Sequence, residues 1–459
     1  MHSRAISYIH GREPRLATLQ QQQADGNSPC PERDYSPFSC ISSTLQRVED
    51  AMSNRPRIAA LVSIYHRYAH AQHIVDRFLE GYGWESRHHR PEMDVVSLYV
   101  DQVNEAPAEP EEGARYDLSR ERAERFPLLE CYPTVADALM RGTDSLDVDG
   151  VLIIAEHGDY PDNEKGQTLW PRYEFFKQML AVFRASGRSV PVFNDKHLSW
   201  RWDWAKEMYD ASVELGFPFM AGSSLPVTWR TPDVEMPLGA DVKEAMCVGC
   251  GWNDGGDFHG FEVIQGMVER RKGGESGVQW IEGFRGEKFW NALHEEQWSR
   301  ALFDACLCRG HQLTPARPGF NNTFPTINEM KELVKEPWAY QYKHRDGLVC
   351  TMIAMNGLFG GSWAFAADVD GREDPLSTYM HLPMPPNPAT LANFFSPQVN
   401  NIEQMFLTGR ASYPIERTLL TTGLTSAGVD SMHEGQTRLE TPHLDVRYQP
   451  NPLSTYWST

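Results

Sequence analysis

From Arg57 onward, short apolar runs alternate with amphipathic stretches. Ile58-Ala59-Ala60-Leu61-Val62-Ser63-Ile64 is apolar but for one serine, the pattern of a parallel strand covered on both faces. Ile74, Phe78 and Leu79 then recur at helical spacing from His70 until Gly81 and Gly83 stop the element. Val95 to Val100 predicts a second strand ending in Asp101, followed by a long insertion rich in Glu, Pro and Arg that reads as a surface excursion. Thr134 is placed to cap a short helix, Val135 to Met140, and Gly150 to Ile154 predicts another buried strand. Phe175, Phe176, Met179, Leu180 and Phe183 form one apolar stripe that ends at Gly187, before a strand at Val190 to Phe193. Ser199 is expected to cap the next helix, with Trp204, Met208, Ala211 and Leu215 facing inward, and Phe217 to Ala221 to begin a further strand. Strands alternating with helices at this spacing predict right-handed crossovers and an open parallel sheet, a Rossmann-like α/β domain over residues 56–225.

Beyond Pro226 the alternation stops. Lys243 to Cys250 predicts a strand, Phe261 to Arg271 a helix, and Phe289 to Arg309 a second helix. Asp346-Gly347 between Tyr340-Gln341-Tyr342 and Leu348 to Met352 is a hairpin signal. Pro383, Pro385, Pro386 and Pro388 mark an irregular connection; helices at Asn400 to Leu407 and Glu416 to His433 and a strand at Leu444 to Tyr448 complete the pattern. The expectation for residues 226–459 from this pattern is an α+β domain.

Residues 1–55 carry the run Gln20 to Gln23 with many Ser and Pro and no apolar core of a secretory signal, and read as a disordered extension. Composition removes several partners. Of 459 residues, 62 are acidic and 43 are Lys or Arg, a formal charge of −19, which repels nucleic-acid phosphate and anionic membrane surfaces. The densest single-sign stretch is acidic, Glu105 to Glu112, and no apolar run reaches the length of a membrane helix. Eight scattered cysteines fit a reduced, cytoplasmic protein better than a disulfide scaffold. Cys247 and Cys250 have the spacing of a metal pair but sit in a strand-like run, where positions three apart point to opposite faces.

In an open parallel sheet, ligands bind at the carboxyl ends of the strands, so those residues are the candidates for chemistry. After the first strand, Val62-Ser63-Ile64-Tyr65-His66-Arg67-Tyr68-Ala69-His70 contains no glycine to let a backbone approach a diphosphate, although Arg67 could hold a phosphate through its guanidinium. Asp101 stands where nucleotide-binding sheets receive ribose hydroxyls. Glu156-His157-Gly158-Asp159 follows the Gly150 to Ile154 strand, and Asn194-Asp195-Lys196-His197 follows Val190 to Phe193. A lysine there can be tuned to exchange a proton near neutral pH. Asp254-Gly255-Gly256-Asp257-Phe258-His259-Gly260-Phe261-Glu262 reads as a glycine-rich turn entering a helix, and His259 and Glu262 share a helix face if the helix has begun by His259.

These segments, in this order over residues 56–440, resemble the glucose-fructose oxidoreductase, inositol dehydrogenase and MocA family (Gfo/Idh/MocA). The family's strand-end E-K-P motif is similar to Asp195-Lys196-His197, and its downstream histidine followed by an acid is similar to His259 with Glu262. Gly273-Gly274-Glu275-Ser276-Gly277-Val278 resembles a glycine-rich turn of its second domain. The resemblance implies a Rossmann domain joined, over residues 226–459, to an α/β domain on a mainly antiparallel open sheet that serves substrate binding and oligomerisation, and a nicotinamide cofactor, NAD or NADP. It implies Lys196 polarising a sugar-like hydroxyl, His259 exchanging its proton and Asp195 beside them. Tyr65, Arg67, Asp101, Glu156 and His157 fall at the cofactor and His197, Asp257 and Glu262 at the substrate, with no resident metal. The chain departs from the pattern at the glycine loop (Val62, Ile64, Tyr68), at Asp195 for glutamate, at His197 for proline, and at Gly255 where an aspartate precedes the histidine.

Two other readings stay open. A lyase, epimerase or hydrolase could use the same cleft with a divalent metal held among His157, Asp159, Asp195, His197 and His259. A non-catalytic ligand-binding descendant of the fold is the other. Trp200, Trp202, Trp229 and Trp252 could stack on a sugar ring or pack in the core. The expected partners are a small-molecule substrate and, because an open sheet face needs cover, a second copy of the chain.

Overall fold

A computed structural model of the chain describes residues 55–105, 115–251, 254–310, 325–359, 363–380 and 392–458. The expected N-terminal extension (but for Arg55), most of the acidic run, Trp252 and the proline-rich connection at 383–388 lie outside the described residues.

The apolar runs become a six-stranded parallel sheet, ordered Glu130–Tyr132, Asp94–Gln102, Arg57–Ile64, Gly150–Ile154, Val192–Asp195 and Phe219–Gly222. Ile58 to Val62 and Val151 to Ile154 are fully buried, as strands covered on both faces must be. Strand order reverses between Arg57–Ile64 and Gly150–Ile154, the position at whose carboxyl edge open parallel sheets bind ligands. Thr134 caps the helix Val135–Met140, accepting from the Asp137 amide at 3.0 Å.

The second sheet has eight strands, ordered Leu439–Glu440, Val278–Arg285, Trp338–His344, Val349–Ala354, Val242–Gly249, Trp363–Val369, Leu376–Met380 and Arg230–Thr231. All its pairings are antiparallel except Val242–Gly249 with Val349–Ala354. Side chains alternate along Val242–Gly249: Ala245 and Cys247 face the core under helices Asp254–Val268 and Ile415–His433, whereas Met246 and Val248 face a second core. That second core is roofed by helices Glu287–His294 and Arg300–Arg309, through Phe289, Trp290, Leu302 and Phe303. The sheet face expected to need cover is therefore covered by the chain's own helices. Cys247 and Cys250 pack in different cores, so their sulfurs are separated.

Helix Ile415–His433 also ties the two sheets together. Thr418 donates to the Ala221 carbonyl at 2.7 Å, and Thr422 accepts from the Leu198 amide at 3.0 Å.

Several elements differ from the sequence expectation. Asp254–Val268 begins helical at Asp254, so the glycine-rich stretch is helix and not turn. A side chain at Gly260 would meet Met352 at 2.5 Å and Trp363 at 2.8 Å, so glycine here serves close helix-to-sheet approach. The stretch 289–309 is two helices, the second capped by Ser299. Helix Trp202–Leu215 has Arg201 at its N-cap and no side-chain cap; Ser199 accepts only from the Arg201 amide in the preceding turn. The strand expected at Val190 to Phe193 is shifted to Val192–Asp195, which makes Lys196 the first residue past it. Leu444 to Tyr448 is not a strand; Tyr448 makes one isolated bridge to Glu275. The insertion holds a helix, Ser119–Arg125, whose Arg122 is buried against Asp76 at 2.8 Å. Among the described residues no helix is long and apolar enough to cross a membrane.

Candidate active site

Lys196 takes a left-handed backbone conformation, φ 66°, and its amide donates to the Gly222 carbonyl at 3.2 Å. Its side chain reaches helix Asp254–Val268, where Nζ lies 2.7 Å from His259 Nε2. Both residues are nearly sealed, at 1% and 4% exposure. Burial, and then the charge of Lys196, push the His259 imidazole well below its ordinary value, so the ring is neutral. An ammonium donating to Nε2 leaves the proton on Nδ1, which lies 2.6 Å from Ser223 Oγ; this tautomer follows from the hydrogen-bond network.

Glu262 shares the helix face with His259 but sits behind the pair. It accepts from the Ser223 amide at 3.3 Å and the Thr421 hydroxyl at 2.6 Å, and burial pushes it up to about 7. Gly222 (φ 128°) permits this: a Cβ there would stand 2.6 Å from a Glu262 carboxylate oxygen.

The acids around the lysine divide unexpectedly. Asp195, its neighbour in the chain, pairs with His70 Nδ1 at 2.6 Å. Glu156, expected at the cofactor, lies 3.3 Å from Lys196 Nζ through one oxygen and pairs with Arg172 through the other. Burial alone would raise the Glu156 carboxyl, but Lys196 and Arg172 together hold it well below the usual range. Arg172 also lies 3.1 Å from His197 Nε2, which stands 3.6 Å from Asp254. His197 is thus enclosed among charged groups, and burial with Arg172 holds it neutral.

At the cofactor end, the placements differ residue by residue. Tyr65 is fully buried and its hydroxyl donates to Asp76 at 2.6 Å, which turns the side chain into the core. Arg67 is exposed at the tip of the loop, and Tyr68 takes φ 71°, a conformation that glycine usually supplies. His157 (φ 79°) is packed against His70, ring centres 5.0 Å apart, and burial lowers it to about 3. Asp101 accepts from the Tyr99 and Tyr160 hydroxyls, each at 2.7 Å. Arg67, just before helix His70–Glu80, and Asp101 are the side chains of this edge that could receive a dinucleotide's diphosphate and ribose.

A cavity of about 900 Å³ is lined by Asp254, Asp257, Arg285, Trp338 and Tyr340. Asp257 accepts from Trp338 Nε1 at 2.6 Å and from the Tyr340 hydroxyl at 2.9 Å, and burial raises it to about 6. At roughly 100° per helical residue, Asp257 and His259 point to opposite sides of their helix, so Asp257 and Glu262 serve different surfaces. Trp200 and Trp202 line a separate cavity of about 620 Å³, and Trp229 packs on Trp457. Among the described residues no three of His, Cys, Asp and Glu converge as a metal site requires. Ser223, Arg172 and His70 are the participants that the strand-end reading passed over. Ser223 was within its reach, since it follows the last parallel strand directly.

No family model matches the sequence, and no curated protein is detectably similar to it. The structure is similar to the crystal structure of GenD2 from gentamicin A biosynthesis in complex with NAD, with TM-score 0.50 and 12% identity over 85% of this chain and 97% of that one. The myo-inositol dehydrogenase from Lactobacillus casei, in complex with NAD(H) and myo-inositol, gives TM-score 0.48 and 11% identity, over 88% of this chain and 100% of that one. What is shared with GenD2 is the fold, a parallel sheet joined to a mixed, mainly antiparallel one, and it is the fold that the resemblance to the Gfo/Idh/MocA family implies.

Proposed function

We infer that this chain is an oxidoreductase that oxidises or reduces a hydroxyl-bearing carbon of a sugar- or polyol-like compound with a nicotinamide cofactor. The observation that carries this reading is the buried contact of Lys196 Nζ with neutral His259 Nε2 at 2.7 Å, at the carboxyl edge of a parallel sheet. A fold shared with a protein crystallised with NAD supports it.

A substrate hydroxyl that displaced the direct Lys196–His259 contact would accept from the Lys196 ammonium and donate to His259 Nε2. The neutral imidazole takes the hydroxyl proton as the C–O bond gains double-bond character, and the ammonium stabilises the negative charge that develops on oxygen. Ser223, accepting from Nδ1, keeps Nε2 free of a proton beforehand. A bound nicotinamide would supply the hydride acceptor. Arg67, exposed in the loop before helix His70–Glu80, would hold its diphosphate.

Titration calorimetry with NAD and NADP tests the reading. We expect micromolar binding of one of them, weakened at least tenfold by Arg67→Ala. Absence of binding by either nucleotide would overturn it.

A further inference from the structure

We propose that Glu156, and not the adjacent Asp195, is the ion-pair partner that holds Lys196 aimed at His259, acting as a positioning residue. The proposal rests on the proposed function only for the use made of the lysine; the pairing itself is a property of the fold.

Four observations carry it. Asp195 ends a strand, and its Oδ2 is engaged by His70 Nδ1 at 2.6 Å. Lys196 leaves that strand in a left-handed turn, φ 66°, which directs its side chain elsewhere. Glu156 comes from the loop after the neighbouring strand Gly150–Ile154, and its Oε1 lies 3.3 Å from Lys196 Nζ. Its second oxygen is fixed by Arg172, which is completely buried and extends to His197. One carboxylate thus bridges two buried cations that come from two different elements, and each of its oxygens has its own partner.

The charge balance explains why the carboxylate is needed. Lys196 and Arg172 are sealed from water, while His259 and His197 are held neutral beside them. Remove the Glu156 charge and two cations face each other in a low-dielectric interior, where the lysine can relieve the repulsion by giving up its proton and the arginine cannot. An uncharged lysine no longer stabilises an oxyanion, and its hold on His259 weakens. Glu156 reaches the lysine from the loop after strand Gly150–Ile154, so the acid paired with Lys196 comes from the neighbouring strand and not from its own.

The test is the rate at which Lys196 is acetylated at about pH 8 by a water-soluble acetylating reagent, read by peptide mass spectrometry. Neither nucleotide nor substrate is present. Glu156→Gln is expected to raise that rate at least fivefold, because an amine without its counter-ion is more often the free nucleophile. Asp195→Asn is expected to leave it at the wild-type level. Arg172→Gln controls for local opening, since it also disturbs the buried network but leaves the carboxylate, and it is expected to leave the rate unchanged. An unchanged rate in Glu156→Gln, or an equal rise in Asp195→Asn or Arg172→Gln, would overturn the assignment. Loss of nucleotide binding alongside the expected labelling pattern would remove the oxidoreductase reading and leave this pairing standing.

Discussion

Lys196 and His259 meet at 2.7 Å although one follows a parallel strand and the other rides a helix of the mixed sheet, 63 residues apart in the chain. A contact assembled from both sheets, buried and between a cation and a neutral base, has a direct kinetic consequence. With any hydroxy compound that the wild type oxidises, Lys196→Met and His259→Phe should each lower kcat/KM by about 10²–10⁴-fold, the usual contribution of a positioned proton-transfer group. Steady-state kinetics across both variants is the check, and near-wild-type turnover in either would remove that residue from the site.

Asp101 is occupied in a way that bears on affinity. Its two oxygens accept from Tyr99 and Tyr160, and Tyr160 comes from the loop that continues beyond Glu156-His157. If ribose hydroxyls take the place of Tyr160, removing that hydroxyl spares an exchange of roughly 1 kcal/mol. Tyr160→Phe should then bind nicotinamide dinucleotide about fivefold more tightly by calorimetry. Unchanged affinity would mean that the ribose does not use Asp101.

Glu262 makes stability depend on pH. Burial raises its carboxyl from 4.5 to about 7, so the folded state holds a proton that the unfolded chain has already released. Stability from this group is fully present below about 4.5 and is lost as pH climbs to about 7. Glu262→Gln lacks that slope. Between about pH 5 and about pH 8 the wild type should lose more unfolding free energy than the variant, by at most roughly 3 kcal/mol, measured by urea denaturation at each pH. Parallel curves for the two proteins would show that Glu262 does not titrate in this range.

The roof over the mixed sheet is equally open to measurement. Phe303 is fully buried in the second core, on the inner face of helix Arg300–Arg309. Phe303→Ala should cost about 3–5 kcal/mol in urea denaturation, as for other large-to-small changes in sealed cores. A loss under about 1 kcal/mol would mean that the helix does not depend on this contact.

The parallel sheet was legible because its strands are continuous apolar runs with helical periodicity between them, a pattern that only burial on both faces produces. The Lys196 and His259 positions were legible because strand-end lysines and a helical histidine carry a recognisable order. The partners of Lys196 were not. Nothing local distinguishes Glu156 from Asp195 as its acid; the left-handed turn at Lys196 and the reach of Arg172 decide that in three dimensions. Asp254 to Gly256 misled for a similar reason. Two glycines beside an aspartate favour a turn when read alone, and tertiary packing made them the first turn of a buried helix. Cys247 and Cys250, by contrast, were read correctly from strand alternation alone.

The helices at 287–309 give the mixed sheet an inside on both of its faces. Among the described residues, burying the sheet face under these helices does not call for a second copy of the chain. Its activity per molecule should therefore stay constant as the protein is diluted from micromolar to nanomolar concentration, and any self-association should change its kinetics little.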